Sequence, residues 1–288
     1  MNIDITVSVT DQVRLHVRHW PGVQPRAFLL LHGLTSNARL WDQVACRLAT
    51  RGYPVYAVDL RGHGESDTPD DGHDTASAAA DVARVGAALG LSGVVAAGHS
   101  WGAGVALRLA AENPELVGGL ALVDGGWGDA TATGGHTGPV TESRHKSTMP
   151  EMTTLSELRE CLRAAHPRWS DAAIDAYLDE MSLGPDGEVA PRLAEAHHRS
   201  IVRSLRDEPS ARWYSLVNVP VMLLPVLPPA GTWEQDLRDR VKHAEAALPQ
   251  ATTRWYEDTG HHPHVECPER ITNDLIDLAG ETGYQLFV

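Results

Sequence analysis

The sequence predicts an α/β fold, with a mostly parallel central sheet, helices on both of its faces, and an inserted helical segment. Three observations predict it. Strand and helix signals alternate through the first third of the chain, the strands read as continuous apolar runs, and an all-helical stretch interrupts the alternation before it resumes. A strand buried on both faces has no polar side, and strands joined by helices of about ten to fifteen residues pair in parallel. At 288 residues the chain is long enough for one large domain carrying an insertion.

Taken in order, Val13 to Val17 reads as a strand, and AFLLLHG (27–33) is an apolar run stopped by glycine. A helix is predicted from Asn37 to Ala49, then the strand YPVYAVDL (Tyr53 to Leu60), the turn RGHGES (61–66) and an alanine-rich helix from Thr75 to Leu89. The strand GVVAAG (93–98) runs through His99 and Ser100 into a helix, and GLALVD ends at Asp124. Residues 126–148 are rich in Gly, Thr and Ser, which marks a loop. Beyond them, Leu155, Leu158 and Leu162 share a helical face that Pro167 terminates, and Ser170 caps a helix carrying Ile174, Tyr177, Leu178 and Met181. Leu193, His197, Ile201 and Leu205 form the stripe of a third helix. The sheet pattern resumes with VPVMLL (219–224), a helix from Glu234 to Ala247, the strand TTRWYE, and a closing helix from Glu269. The expected division is a core of residues 1–124 and 218–288 with a helical lid, 125–217, inserted into it.

Composition removes several function classes. The chain is 42% hydrophobic and 22% charged, which is ordinary for a globular protein. Its 38 acidic against 24 basic residues give a net charge of -14, which repels phosphate backbones and anionic lipid, so neither nucleic acid nor a membrane is an expected partner. Cys46, Cys161 and Cys267 are widely spaced and odd in number, which suits a reducing cytoplasm. The first residues lack the basic start and apolar run of a signal peptide, and no apolar stretch reaches the length of a membrane span. A soluble, cytoplasmic protein is expected.

The most specific motif is Gly98-His99-Ser100-Trp101-Gly102, a G-x-S-x-G between a buried strand and a helix. Five letters recur by chance, but chance does not supply the strand before and the helix after. A serine in so sharp a turn needs small residues two positions to either side, and the helix start aims the N–H of Trp101 at developing negative charge. His32-Gly33-Leu34 ends an earlier strand; beside the serine strand, the N–H of Leu34 would face the same point. His32, His63 and His99 sit in turns where a histidine usually braces a loop.

These segments resemble the α/β-hydrolase fold enzymes. HGLTSNARLW resembles that family's oxyanion loop, DLRGHGESD its next strand and turn, GHSWG its nucleophile elbow and GHHPHVECPE its histidine loop. The likeness covers residues 10–124 and 218–280, with the helical block where the family carries its variable cap. It implies a nucleophile at Ser100, oxyanion donors at Leu34 and Trp101, and a general base at His261. The group His261, His262, His264 and Glu266 can also be read as zinc ligands, although no partner motif such as HExxH accompanies it. The acid departs from the family's commonest pattern, because VPVMLL runs into Pro225-Val226-Leu227-Pro228-Pro229-Ala230 with no carboxylate. Asp124, at the end of the strand after the elbow helix, is the expected acid; Glu234 and Asp236 are the alternatives, and a turn cap is Asp124's plainer reading.

A serine nucleophile speaks against epoxide hydrolase and dehalogenase chemistry, for which the family uses aspartate. The expected activity is hydrolysis of a small hydrophobic or aromatic ester or lactone without cofactor or metal, with Trp127, Met149, Met152 and His197 as substrate contacts. Carbon–carbon hydrolases, cofactor-free lyases or oxygenases, and ligand receptors with slow hydrolysis use the same fold and stand as rival readings.

Overall fold

The computed structural model describes residues 2–128, 154–183, 189–227 and 233–281. The main sheet contains β1 (Ile3–Ser8), β2 (Arg14–Trp20), β3 (Phe28–Leu31), β4 (Val55–Val58), β5 (Val94–His99) and β6 (Val117–Val123). Two short strands, β7 (Met181–Leu183) and β8 (Val189–Pro191), pair with each other elsewhere, and β9 (Val221–Leu224) and β10 (Ala251–Thr253) complete the sheet. Its order is β1-β2-β4-β3-β5-β6-β9-β10, antiparallel only where β2 meets β1 and β4.

The apolar runs are central strands because both of their faces are covered. Successive side chains of a strand point to opposite faces. Leu29 and Leu31 therefore enter one apolar cluster, with Val94, Ala96, Leu120 and Leu122, while Phe28 and Leu30 enter another with Val95, Ala97, Ala121 and Val123. The first cluster is closed by α2 (Thr75–Ala88), α3 (Trp101–Glu112) and α8 (Glu234–Ala247). The second is closed by α1 (Asp42–Thr50) and α9 (Pro268–Glu281). The helix predicted from Asn37 begins as a 3-10 turn, Ala38–Trp41, with the Asn37 side chain accepting from the Arg39 N–H as its cap.

Between β6 and β9 lie α4 (Leu155–Ala165), α5 (Asp171–Leu178), the β7–β8 hairpin, α6 (Glu195–Asp207) and α7 (Ala211–Tyr214). Leu158, Leu162, Trp169 and Ile174 form a third apolar cluster that closes on Leu40 and Val265. This segment is not all helical. Met181 continues the helical spacing of Ile174, Tyr177 and Leu178, yet α5 stops at Leu178 and Met181 opens the hairpin. Leu193 likewise precedes α6 instead of belonging to its first turn. The segment is tied to the sheet domain by Ser204, whose Oγ lies 3.1 Å from both the N–H and the Oγ1 of Thr75. Met149 and Met152 lie outside the described residues. Among the described residues no helix is long and apolar enough to cross a membrane, and the three cysteines are free thiols.

The turn after β4 is anchored by a buried ion pair, with Arg61 Nη2 2.6 Å from Asp81 Oδ2 and side chains 8% and 1% exposed. Removing one partner of such a pair strands the other charge. Asp81→Leu should destabilise the protein by about 3–5 kcal/mol, whereas Arg61→Met with Asp81→Leu should recover most of the loss. Urea denaturation of the single and double variants measures both.

Candidate active site

The parallel register fixes what meets at the carboxyl edge. Leu31 pairs with Gly98, so Gly33 comes to rest beside Ser100, where a Cβ on Gly33 would stand 3.1 Å from that of Ser100. His99 pairs with Val123, so Asp124 follows on the other side, and the N–H of Ser100 donates to the Val123 carbonyl at 2.9 Å. Ser100 has φ 54° and ψ −117°, a conformation that a non-glycine residue holds only when its surroundings impose it.

The surrounding glycines make room for it. A Cβ on Gly98 would stand 2.1 Å from the Gly102 carbonyl oxygen, one on Gly102 2.3 Å from that of His32, and one on Gly125 2.4 Å from that of Ser100. Trp101 begins α3, and its indole N–H donates to Thr75 Oγ1 at 3.2 Å. Leu34 and Trp101 thus lie on the two chain segments that flank Ser100, at the turn after β3 and the start of α3.

His261 reaches this edge from the loop after β10. Its Nδ1 lies 2.6 Å from Asp124 Oδ2, while Asp124 Oδ1 accepts from the N–H of Val226 at 3.1 Å. Asp124 itself has φ 45°, a left-handed conformation that aspartate tolerates better than most residues. The two alternative acids are engaged elsewhere, Glu234 with Arg238 and Asp236 with Arg240, both one turn along α8.

The histidine loop is braced from below and above. Glu266, with a side chain 6% exposed, accepts from the N–H of Gly260 and from Thr259 Oγ1, each at 3.1 Å, and pairs with Arg168 of the inserted segment at 2.7 Å. His99 Nε2 donates to the His261 carbonyl at 2.6 Å. His99 and His262 crowd the ring of His261, with centroids 4.7 and 5.3 Å away, and His264 lies against His99 at 4.4 Å. Burial, and then the neighbouring imidazoles, push His99 and His262 well below the ordinary histidine range and His264 down to about 3. Among the described residues no three His, Cys, Asp or Glu side chains are placed to hold a metal ion.

His32 and His63 occupy the turns in which the sequence places loop braces. His32 Nδ1 donates to the Gly33 carbonyl at 2.7 Å, and its Nε2 accepts from the N–H of Leu60 at 3.0 Å. His63 Nδ1 donates to the Arg61 carbonyl at 3.0 Å, and its Nε2 accepts from the N–H of Thr35 at 3.3 Å. Trp127 is 6% exposed and packs in the apolar cluster beneath the edge. His197 stacks on His73 at 3.7 Å, a junction between α6 and the loop before α2. Sequence reasoning missed Glu266, Glu180 and Asp59 as supports of the site. Of these, Asp59 and Glu266 fall within stretches singled out from the sequence, DLRGHGESD and GHHPHVECPE, and Glu180 does not.

The chain matches the alpha/beta hydrolase family over residues 28–274. An uncharacterized protein of Mycobacterium tuberculosis is 29% identical over 274 residues, covering 89% of this chain and 75% of that one. A non-heme chloroperoxidase of Streptomyces lividans is 39% identical over 106 residues, 37% of this chain and 38% of its own. The crystal structure of E-2-(acetamidomethylene)succinate hydrolase superposes with a TM-score of 0.77 at 21% identity, covering 97% of this chain and all (100%) of that one.

The buried histidines contribute to the acid lability of the fold. A histidine whose folded pKa is depressed stabilises the fold fully above its ordinary value of 6.5 and loses that contribution as pH falls toward the folded value, which is about 3 for His264. The protein should therefore lose stability steadily between about pH 7 and pH 3. His264→Phe, which keeps a ring against Trp41 and removes the titration, should move the acid-unfolding midpoint to lower pH, as followed by circular dichroism.

Proposed function

The chain belongs to the alpha/beta hydrolase family, and on that premise we propose that it is a serine hydrolase that cleaves a hydrophobic or aromatic carboxylic ester or lactone through an acyl-enzyme. The observation that carries this reading is the 2.6 Å contact between His261 Nδ1 and Asp124 Oδ2 at the sheet edge that holds Ser100 in its strained turn. An Nδ1–H that donates to a carboxylate leaves Nε2 with its lone pair, which is the form a general base needs.

In this reading the Ser100 hydroxyl attacks the substrate carbonyl as His261 takes its proton. The tetrahedral oxyanion is held by the N–H groups of Leu34 and Trp101. The imidazolium, stabilised by Asp124, then returns the proton to the leaving alkoxide as the carbon–oxygen bond breaks. Water repeats the sequence on the acyl-enzyme, delivering its proton through His261 and releasing the acid. The described part of the inserted segment, residues 154–183 and 189–217, acts as a cap over this edge, and His197 and Trp127 serve packing more directly than substrate contact. The free thiols suit work in the cytoplasm.

Ser100→Ala should abolish turnover of p-nitrophenyl esters, and Asp124→Asn should lower kcat by about 10⁴ because it permits the wrong imidazole tautomer. If Asp124→Asn keeps full activity while Glu234→Gln removes it, the acid is wrongly assigned. A fluorophosphonate probe should label Ser100. Labelling without steady turnover would replace this reading with a receptor, and absence of labelling would replace it with chemistry that uses no nucleophile.

A further inference from the structure

The loop between β3 and the 3-10 turn, residues 33–37, must hold the Leu34 N–H in place although Thr35 has φ 54°. Two of its supports come from the sheet domain. His63 Nε2 accepts from the N–H of Thr35, and Asp59 Oδ1 accepts from the N–H of Ala38 at 2.7 Å. The other two come from the inserted segment. Asn37 Nδ2 donates to the Ala176 carbonyl at 2.6 Å and to Glu180 Oε1 at 2.9 Å.

Glu180 lies just past α5 and is 1% exposed. The same Oε1 accepts from the N–H of Gly64 at 3.1 Å, in the turn after β4. Gly64 packs so closely on Asp59 that a Cβ there would stand 2.2 Å from the Asp59 carboxyl carbon. One buried oxygen thus joins three pieces: the loop of Leu34, the turn 61–66 and the inserted segment. Nothing about local folding of α5 requires a carboxylate at this position, and a buried carboxylate is costly unless it is hydrogen-bonded. Burial pushes Glu180 up to about 7, with Asp59 acting in the same direction and the bonds from Asn37 and Gly64, together with Arg192, opposing it. Arg39 and Asp179 form a further ion pair across the same junction.

We propose that Glu180 is a positioning residue for the oxyanion donor Leu34: by fixing Asn37 and Gly64 from the inserted segment, it makes a properly set oxyanion hole conditional on that segment being seated. This rests on the serine hydrolase reading above. When the segment lifts to admit substrate, the loop keeps its tethers to His63 and Asp59 and loses those to Glu180 and Ala176. When the segment reseats over bound substrate, the donor is fixed again, so binding energy from the cap is used to complete the catalytic arrangement.

The role predicts a loss in the chemical step. Truncation should affect kcat, and an amide that retains an acceptor oxygen should restore it. With p-nitrophenyl acetate, Glu180→Ala should lower kcat about tenfold with KM within about twofold, a fraction of the 10²–10³ seen when an oxyanion donor is deleted outright. Glu180→Gln should stay within about threefold of the parent. Hydrogen exchange should show lost protection at Gly64 and across residues 34–38 in Glu180→Ala and retained protection in Glu180→Gln. Unchanged kcat in Glu180→Ala, a rise in KM alone, or unchanged exchange at these amides would overturn the proposal. If the parent protein turns over no ester and Ser100 resists the phosphonate, the hydrolase reading fails, while the exchange experiment still reports whether Glu180 fixes the loop.

Discussion

The clearance around Ser100 is the constraint on which the rest of the structure depends. A serine at φ 54° at the junction of β5 and α3 is tolerated only where neighbouring chain can approach without side chains. Gly98 and Gly102 let the strand and helix touch, Gly102 lets α3 lie against the end of β3, and Gly125 lets the chain leave β6 across the Ser100 carbonyl. These approaches fix the separations of three strand ends at once. Asp124 and Gly33 are therefore placed by backbone contact before any side-chain hydrogen bond is counted.

The loops built on that edge are held by buried carboxylates that accept backbone N–H groups. Asp59 takes those of Ala38 and Glu65, Glu266 that of Gly260, Glu180 that of Gly64 and Asp124 that of Val226. A loop at a sheet edge has no ladder to satisfy its amides, and an ionised side chain makes a stronger bond to them than a neutral one. Three of the four are themselves steadied by a basic side chain: Asp59 by His16 at 2.8 Å, Glu266 by Arg168 and Asp124 by His261. These four carboxylates organise the site.

The sheet was legible in the sequence because its central strands are buried on both faces, so AFLLLHG and GVVAAG have no polar side to confuse with a helix. Ser100 and Asp124 were legible for a related reason, since strand ends in a parallel sheet converge on one edge. The β7–β8 hairpin was not, because Met181 continues a helical spacing that the chain abandons at Leu178; periodicity cannot report where a helix stops without a cap signal. Glu180 left no local trace, its partners lying 143 and 116 residues away in sequence. His197 and Trp127 read equally well as pocket or packing, and only tertiary contacts distinguish the two.

The crowd of histidines makes the assignment of charge at the edge more definite. At neutral pH His99, His262 and His264 are held uncharged by burial, so they contribute rings and hydrogen bonds without competing for protons. Two carboxylates border the segment bearing His261. Glu266 is committed to Arg168, and its bonds to Gly260 and Thr259 secure the backbone. Asp124 receives the N–H of Val226 and the imidazole of His261. In the proposed mechanism a proton taken from Ser100 by His261 would therefore find its compensating charge at Asp124, whose Oδ2 lies 2.6 Å from the His261 Nδ1.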